Sequence, residues 1–141
     1  MIYVETSLLV ALFAHEARSA SVARWYAGTR ADLVSATWCV TEFASAFGIK
    51  QRTGQMDHDQ ARSAWERFGR LVANDLRLLP LGSSDFHSAA MKTLDAASAL
   101  RPGDALHLVC AIQAGAKSIA TLDDVLGRNA QRLKIKPVVF P

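Results

Sequence analysis

Residues 1–12, MIYVETSLLVAL, connect a short apolar run to a longer one through a single acidic residue. The first run, Ile2–Val4, is too short for a helix and carries β-branched and aromatic side chains, so it predicts a strand. The second run, residues 6–14, is apolar and long enough for a helix. Glu5 therefore lies where the first predicted strand ends and the first predicted helix begins.

The same alternation of strand and helix continues through the rest of the chain. Helical spacing is clear at Ala105, Leu108, Val109 and Ile112, which share one helix face. Alternation of this kind favours a parallel sheet with helices on both faces, built as one α/β domain over residues 1–141. The predicted strands are residues 2–4, 33–36, 78–81, 118–121 and 137–140.

Capping residues predict several helix boundaries. Asp and Ser favour a helix start because their side chains accept hydrogen bonds from the first turn, and glycine favours a helix end. On this basis we expect helix starts to be capped by Ser83 or Ser84, by Asp57 and by Asp104, and helix ends at Gly54 and Gly115.

Composition limits the class of protein. Of the 141 residues 50% are hydrophobic and 21% charged, which excludes a disordered chain. The formal charge of +3 permits a polyanionic partner such as nucleic acid without requiring one. No apolar run approaches the roughly 18 residues of a membrane span, and no secretory signal opens the chain, so we expect a cytoplasmic protein. Cys39 and Cys110 are expected to be buried, unpaired thiols.

Four acidic residues fall where the predicted strands end or the following helices begin. Glu5 and Asp123 follow strands, whereas Glu42 and Asp104 lie near the starts of helices. Because parallel strands end at one edge of a sheet, we expect all four carboxylates at that edge, where open α/β sheets bind ligands. Taken singly, each acid has a structural explanation as a helix cap or a solvated first-turn residue.

Carboxylates gathered at a partly buried edge repel one another unless a cation balances them. Every candidate ligand is an oxygen, which favours Mg²⁺ or Mn²⁺ over zinc. Such ions orient water and stabilise the leaving oxygen in phosphodiester hydrolysis. The pattern therefore indicates a metal-dependent enzyme acting on phosphoryl or phosphodiester bonds.

Four segments of the chain resemble the four sequence elements of the PIN-domain family, in the same order and spacing. The resemblance covers essentially the whole chain. The length of the chain is also similar to that of the VapC-like toxins in this family. The segments are MIYVETSLLVAL at 1–12, SATWCVTEFASAF at 35–47, RPGDALHLVCAI at 101–112 and SIATLDDVLGRNA at 118–130.

The resemblance implies a three-layer α/β/α sandwich with a central five-stranded parallel sheet. It also implies a Mg²⁺- or Mn²⁺-dependent endoribonuclease, the toxin of a type II toxin–antitoxin pair, that cuts transfer or ribosomal RNA. The implied partners are a cognate antitoxin protein and a second copy of the chain in a homodimer. The implied catalytic and metal-binding residues are Glu5, Glu42, Asp104 and Asp123, with Thr6, Ser7 and Thr121 either hydrogen-bonding to them or acting as caps.

Glu5 departs from the family pattern, which has aspartate at this position. Glutamate keeps the charge but extends the carboxylate by about 1.5 Å, whereas Mg²⁺ demands near-ideal geometry. The alternative function is therefore a weakened or silent PIN-like module that binds antitoxin or RNA without cutting. A haloacid-dehalogenase-like phosphatase is disfavoured because it needs a second aspartate where this chain has Ser7. Asp123 is preferred as the fourth acid over Asp124, which is expected to be a first-turn helix residue.

Several other polar residues lie near these acids in the sequence. His107 follows Asp104 by one helical turn and is expected to be an ordinary packed or surface histidine rather than a site residue. Lys50, Arg52 and Arg101 are the candidate phosphate contacts, with solvated surface charges as the alternative.

Overall fold

The computed structural model describes residues 1–141 and contains five strands, seven α-helices and one short 3-10 helix. In chain order these are β1 (Ile2–Val4), α1 (Thr6–Phe13), α2 (Ser19–Gly28), β2 (Leu33–Ala36), α3 (Trp38–Arg52), α4 (His58–Asn74), β3 (Leu76–Leu79), α5 (Ser83–Leu94), the 3-10 helix (Ala96–Ser98), α6 (Pro102–Gln113), β4 (Ser118–Ala120), α7 (Asp124–Arg132) and β5 (Lys136–Pro137).

The five strands form one parallel sheet in the order β3-β2-β1-β4-β5. The expected five-stranded parallel sheet is therefore confirmed. Strand order reverses between β1 and β4, which pair from Ile2 with Ser118 to Val4 with Ala120. A crevice forms at such a reversal because the connections leave in opposite directions beyond the two strand ends. Glu5 follows one of these two strands directly, and Asp123 follows the other after two residues.

Two hydrophobic cores cover the two faces of the sheet. Side chains alternate across a strand, so Tyr3 belongs to one core and Val4 to the other. The Tyr3 core is completed by α5, α6 and α7, and the Val4 core by α1 to α4. This arrangement is the predicted three-layer α/β/α sandwich, and it packs α1, α3 and α6 around the carboxyl ends of the central strands. Cys39 and Cys110 are both buried and unpaired, as expected.

Two strands differ from their predicted bounds. Strand β3 covers Leu76–Leu79 rather than 78–81, because Pro80 follows it and has no N–H to continue the ladder with β2. Strand β5 covers Lys136–Pro137 rather than 137–140, and beyond it Phe140 packs edge-on against Trp25 instead of extending the sheet.

The helix boundaries agree with the capping analysis in part. Asp57 caps α4 in a capping box with Gln60, and Gly54 and Gly115 adopt positive φ just past α3 and α6, as predicted. Helix α5 instead has Gly82 at its N-cap, so the predicted cap at Ser83 or Ser84 is wrong. The predicted cap at Asp104 is also wrong, because α6 begins two residues earlier at Pro102. None of the helices is both long and apolar enough to span a membrane.

Candidate active site

All four predicted acids line one open cleft of about 740 Å³ beyond the ends of β1 and β4. The structure therefore brings together the side chains that the strand-end argument placed at one edge. Each comes from a different element: Glu5 ends β1, Glu42 lies on α3, Asp104 on α6, and Asp123 caps α7. Helices α3 and α6 reach this cleft because each begins close to a strand end.

Glu5 is held by the residues that surround its strand end. It is only 5% exposed and caps α1 by accepting a hydrogen bond from the Ser7 backbone N–H at 3.0 Å. Its other oxygen accepts from the Ser7 hydroxyl and from the Thr121 hydroxyl, the latter at 2.8 Å. These bonds fix both carboxylate oxygens between the start of α1 and the end of β4. Ser7 and Thr121 thus bond directly to an acid of the cleft.

Glu42 is held by hydrogen bonds to residues of α1 and α6. One of its oxygens, Oε1, accepts from the Thr6 hydroxyl at 2.7 Å and also hydrogen-bonds to Nε2 of His107. Burial raises the pKa of the Glu42 carboxyl, but the hydrogen bonds from His107 and Thr6 outweigh burial and leave the pKa below its usual value. Glu42 is therefore ionised at neutral pH.

Gly103 provides the space that the Glu42 carboxylate occupies. A Cβ atom at position 103 would lie 2.8 Å from Glu42 Oε2 and 3.2 Å from the Trp38 indole nitrogen. Glycine is thus needed here because of a close approach between α6 and α3 rather than for a special backbone angle.

Asp104 and Asp123 share one cationic partner. The Arg101 guanidinium donates to Asp104 Oδ2 and to Asp123 Oδ2, each at 3.2 Å. The second oxygen of Asp123 accepts from the Leu126 N–H at 2.8 Å and so caps α7. Because the Arg101 side chain is 76% exposed, we expect these ion pairs to be weak, about 0–1 kcal/mol each.

The remaining charged candidates divide clearly between the cleft and its surroundings. Arg101 lines the cleft, whereas Lys50 and Arg52 do not, so of these three candidates only Arg101 lies directly at the acids. Lys50 instead pairs with Glu16 at 2.8 Å. Glu16 is a rim residue of the cleft that the sequence analysis did not identify. Asp124 is exposed and lies outside the cleft in the first turn of α7, as expected.

His107 is the main residue that sequence reasoning undervalued. Its side chain is fully buried, with Nδ1 hydrogen-bonded to the Tyr3 hydroxyl at 2.7 Å and Nε2 bonded to Glu42. The available signal was its place one turn after Asp104, as the one basic side chain in an otherwise apolar helical run.

The donor set fits a hard divalent cation. Mg²⁺ is commonly bound by one or two carboxylates and several waters rather than by a full protein cage. No three His, Cys, Asp or Glu side chains surround a common point here, but Asp104 and Asp123 are close enough to share one guanidinium. An ion bound to this pair would replace only an exposed and weakly held Arg101.

The fold and this cleft were compared with known proteins. The family model for the PIN domain matches residues 2–131. Among solved structures, VapC20 from Mycobacterium tuberculosis, a toxin that cleaves the sarcin-ricin loop, has a TM-score of 0.75 at 16% identity. That match covers 92% of this chain and 95% of the toxin.

Two further structures are similar over nearly the whole chain. FitAcB from Neisseria gonorrhoeae has a TM-score of 0.73 at 14% identity and covers 99% of this chain and 97% of that one. VapBC2 from Rickettsia felis, bound to a DNA fragment from its promoter, has a TM-score of 0.67 at 13% identity, with full coverage of both chains. At such identities these structures are evidence for the fold alone. A sequence search of curated proteins finds no match.

Proposed function

Because this chain belongs to the PIN domain family, we propose that it is a metal-dependent endoribonuclease and the toxin of a toxin–antitoxin pair. The observation that carries the proposal is the meeting of Glu5, Glu42, Asp104 and Asp123 in one cleft at the reversal of strand order. Acid-lined clefts of this kind bind Mg²⁺ or Mn²⁺, which favours hydrolysis of a phosphodiester.

Each acid has a defined part in this proposal. Asp104 and Asp123 would bind the ion directly, and Glu5 and Glu42 would add to its binding through bridging waters. The ion, when bound, supplies charge stabilisation at the scissile phosphate. Glu42, which is kept ionised, would accept a hydrogen bond from the attacking water and so orient it. Glu5 is fixed by Ser7 and Thr121 and therefore keeps its carboxyl group at a constant place in the cleft.

Arg101 would bind the substrate. Its guanidinium is exposed at the cleft and is held only by surface ion pairs, so it can turn from the two aspartates to an RNA phosphate. Arginine suits this exchange because its planar fork matches carboxylate and phosphate oxygens equally well. RNA entry and cation binding would then both release Arg101 from its resting contacts.

The partners and setting follow from the family and from similar structures. A cognate antitoxin is supported by the likeness to VapBC2 and to FitAB bound to DNA. The substrate would be transfer or ribosomal RNA, and the place of action the cytoplasm. A homodimer has apolar surface available at Phe86 of α5 and Ile112 of α6, which are 49% and 42% exposed.

A silent binding module is the second candidate function, and Glu5 favours it. Both oxygens of Glu5 already accept hydrogen bonds from the protein, and the side chain is one methylene longer than the aspartate of the family pattern. The Glu5→Asp variant separates the two functions. If only that variant cuts RNA, the chain with Glu5 is the silent form.

The proposed activity is tested by incubating the full chain with structured RNA and either Mg²⁺, Mn²⁺ or a chelator. Wild type should cut only with the metal, and Asp104→Asn should cut in neither condition. Asp124→Asn is the matched control, because Asp124 is an exposed acid outside the cleft and its loss should leave cleavage unchanged. Cleavage that continues in excess chelator would rule out the metal-dependent mechanism.

A further inference from the structure

A chain of hydrogen bonds runs from strand β2 through the core to the cleft. The Ala36 N–H donates to the Tyr3 hydroxyl oxygen at 3.0 Å. Tyr3 in turn contacts Nδ1 of His107 at 2.7 Å, and Nε2 of His107 contacts Oε1 of Glu42. Tyr3 and His107 are both fully buried, so no solvent competes for these bonds.

The donors along this chain can be assigned from their chemistry. Backbone N–H groups only donate, so the Tyr3 oxygen accepts from Ala36, and its single O–H is free to donate to Nδ1 of His107. With Nδ1 as the acceptor, the ring carries its hydrogen on Nε2. That N–H points to Glu42, whose carboxylate oxygen accepts it.

The rest of the environment leaves the ring little freedom. The Tyr3 and His107 rings meet edge to face with centroids 5.8 Å apart, and the Thr6 hydroxyl lies 3.1 Å from Nε2. Thr6 also donates to Glu42 Oε1, so the same carboxylate oxygen receives two donors, which lie 3.1 Å from each other. A glutamate side chain has three rotatable bonds, and fixing it costs conformational entropy that these donors offset.

We propose that His107 is a positioning residue that holds the Glu42 carboxylate in its metal-binding orientation, with Tyr3 setting the hydrogen position on the ring. The inference rests on the proposed function, since it gives Glu42 a role at the cation. A buried imidazole that only completed the core would need no partner on the wall of the cleft. Here the ring is fully buried, yet its Nε2 bonds to Glu42, an acid that lines the cleft.

The experiment is a titration of the metal-free full chain with Mn²⁺, followed by electron paramagnetic resonance. His107→Leu removes both ring nitrogens and should weaken Mn²⁺ binding about 10–100-fold, the usual effect of losing a partner that orients a ligand. His107→Gln keeps a donor near the Nε2 position and should restore most of the affinity. Tyr3→Phe keeps the ring but loses its fixed hydrogen position, so its affinity should be intermediate.

Leu108→Ala is the control for lost stability. Leu108 is buried in the same helix but contributes only to the core, so this variant should unfold more easily and yet bind Mn²⁺ like wild type. RNA cleavage provides a second measurement. Because His107 is fully buried, its loss should lower kcat while KM for RNA stays near the wild-type value.

The outcomes separate the two proposals. A wild-type chain that binds no Mn²⁺ overturns the proposed function and this inference with it. If wild type binds Mn²⁺ and the folded His107→Leu variant binds it equally well, the inference alone is wrong. If His107→Leu fails to fold, Tyr3→Phe and His107→Gln provide the test. Wild-type Mn²⁺ affinity and unchanged kcat in both variants would also overturn the inference. The graded losses of affinity described above would support it.

Discussion

Substitution of Gly103 by alanine tests whether the position of Glu42 matters to the chemistry. Gly103 lies in the first turn of α6, and a Cβ atom there would lie 2.8 Å from Glu42 Oε2. The end of a glutamate side chain usually moves aside at little cost. Here it is restrained, because the other oxygen is bonded to Thr6 and to His107.

The size of the effect follows from that distance. Ordinary contact begins near 3.4 Å, so the carboxylate or the helix must shift by about 0.6 Å to accept the new methyl group. A misplacement approaching 1 Å at a reacting centre can reduce the rate about 10²-fold. We therefore expect Gly103→Ala to lower kcat by about 10- to 100-fold. Stability should change little, because alanine favours the helix by roughly 0.5–1 kcal/mol over glycine and offsets part of the contact.

The assay combines RNA cleavage with denaturant unfolding of the same variants. Gly69→Ala is the matched control, because Gly69 lies in α4 and a Cβ atom there meets nothing within 4 Å. It should be at least as stable as wild type and fully active. Wild-type kcat in a folded Gly103→Ala protein would refute the reasoning that Glu42 must hold its place.

Three other predictions concern charge and burial. Arg101→Ala should tighten Mn²⁺ binding by the RNA-free protein, because the guanidinium that competes with the ion for Asp104 and Asp123 is lost. The same variant should raise KM for RNA. Weaker Mn²⁺ binding in a calorimetric titration would contradict this prediction. Burial raises the pKa of the Cys39 thiol to about 11. Alkylation of this thiol at pH 8 should therefore be at least about 100-fold slower in the folded protein than in the unfolded protein. Equal alkylation rates would contradict the raised pKa. Burial and a hydrogen bond to Asp75 raise the pKa of Tyr26 to about 12, so its stabilising effect should be complete below about pH 10 and decline between pH 10 and 12. The Tm difference between wild type and Tyr26→Phe should therefore shrink over that range, and a constant difference would show that folding does not raise the pKa of Tyr26.

The strands of the sheet can be predicted because each is specified by a short stretch of sequence. Each strand is a short apolar run, and three of the five match their predicted bounds to within one residue. The end of β3 at Leu79 has a local signal in Pro80, whereas the bounds of β5 depend on its pairing with β4, which the sequence of that segment does not contain. Asp104 is not the helix cap that its position suggests, because Pro102 in the first turn places the helix start two residues upstream.

The sequence predicts which acidic residues meet in the cleft, but it does not predict which side chains hydrogen-bond to them. Strand ends place Glu5 and Asp123 by topology alone, since every parallel strand ends at the same edge. The bond between Tyr3 and His107 joins residues 104 apart in the chain, and no periodicity or motif signals such a contact. Long side chains such as Arg101 and Lys50 can reach several acidic residues, so which ones they pair with depends on the packed structure.

Cleavage of structured RNA by wild type and by Asp123→Asn, each with Mn²⁺ and with excess chelator, tests the central claim most directly. Asparagine caps a helix as well as aspartate does, so this variant removes the charge from the cleft and preserves the start of α7. Wild type should cut RNA with Mn²⁺ and not after chelation, and Asp123→Asn should cut in neither condition. Cleavage by Asp123→Asn at the wild-type rate, or by wild type in chelator, would contradict a metal-dependent site built on these four acids.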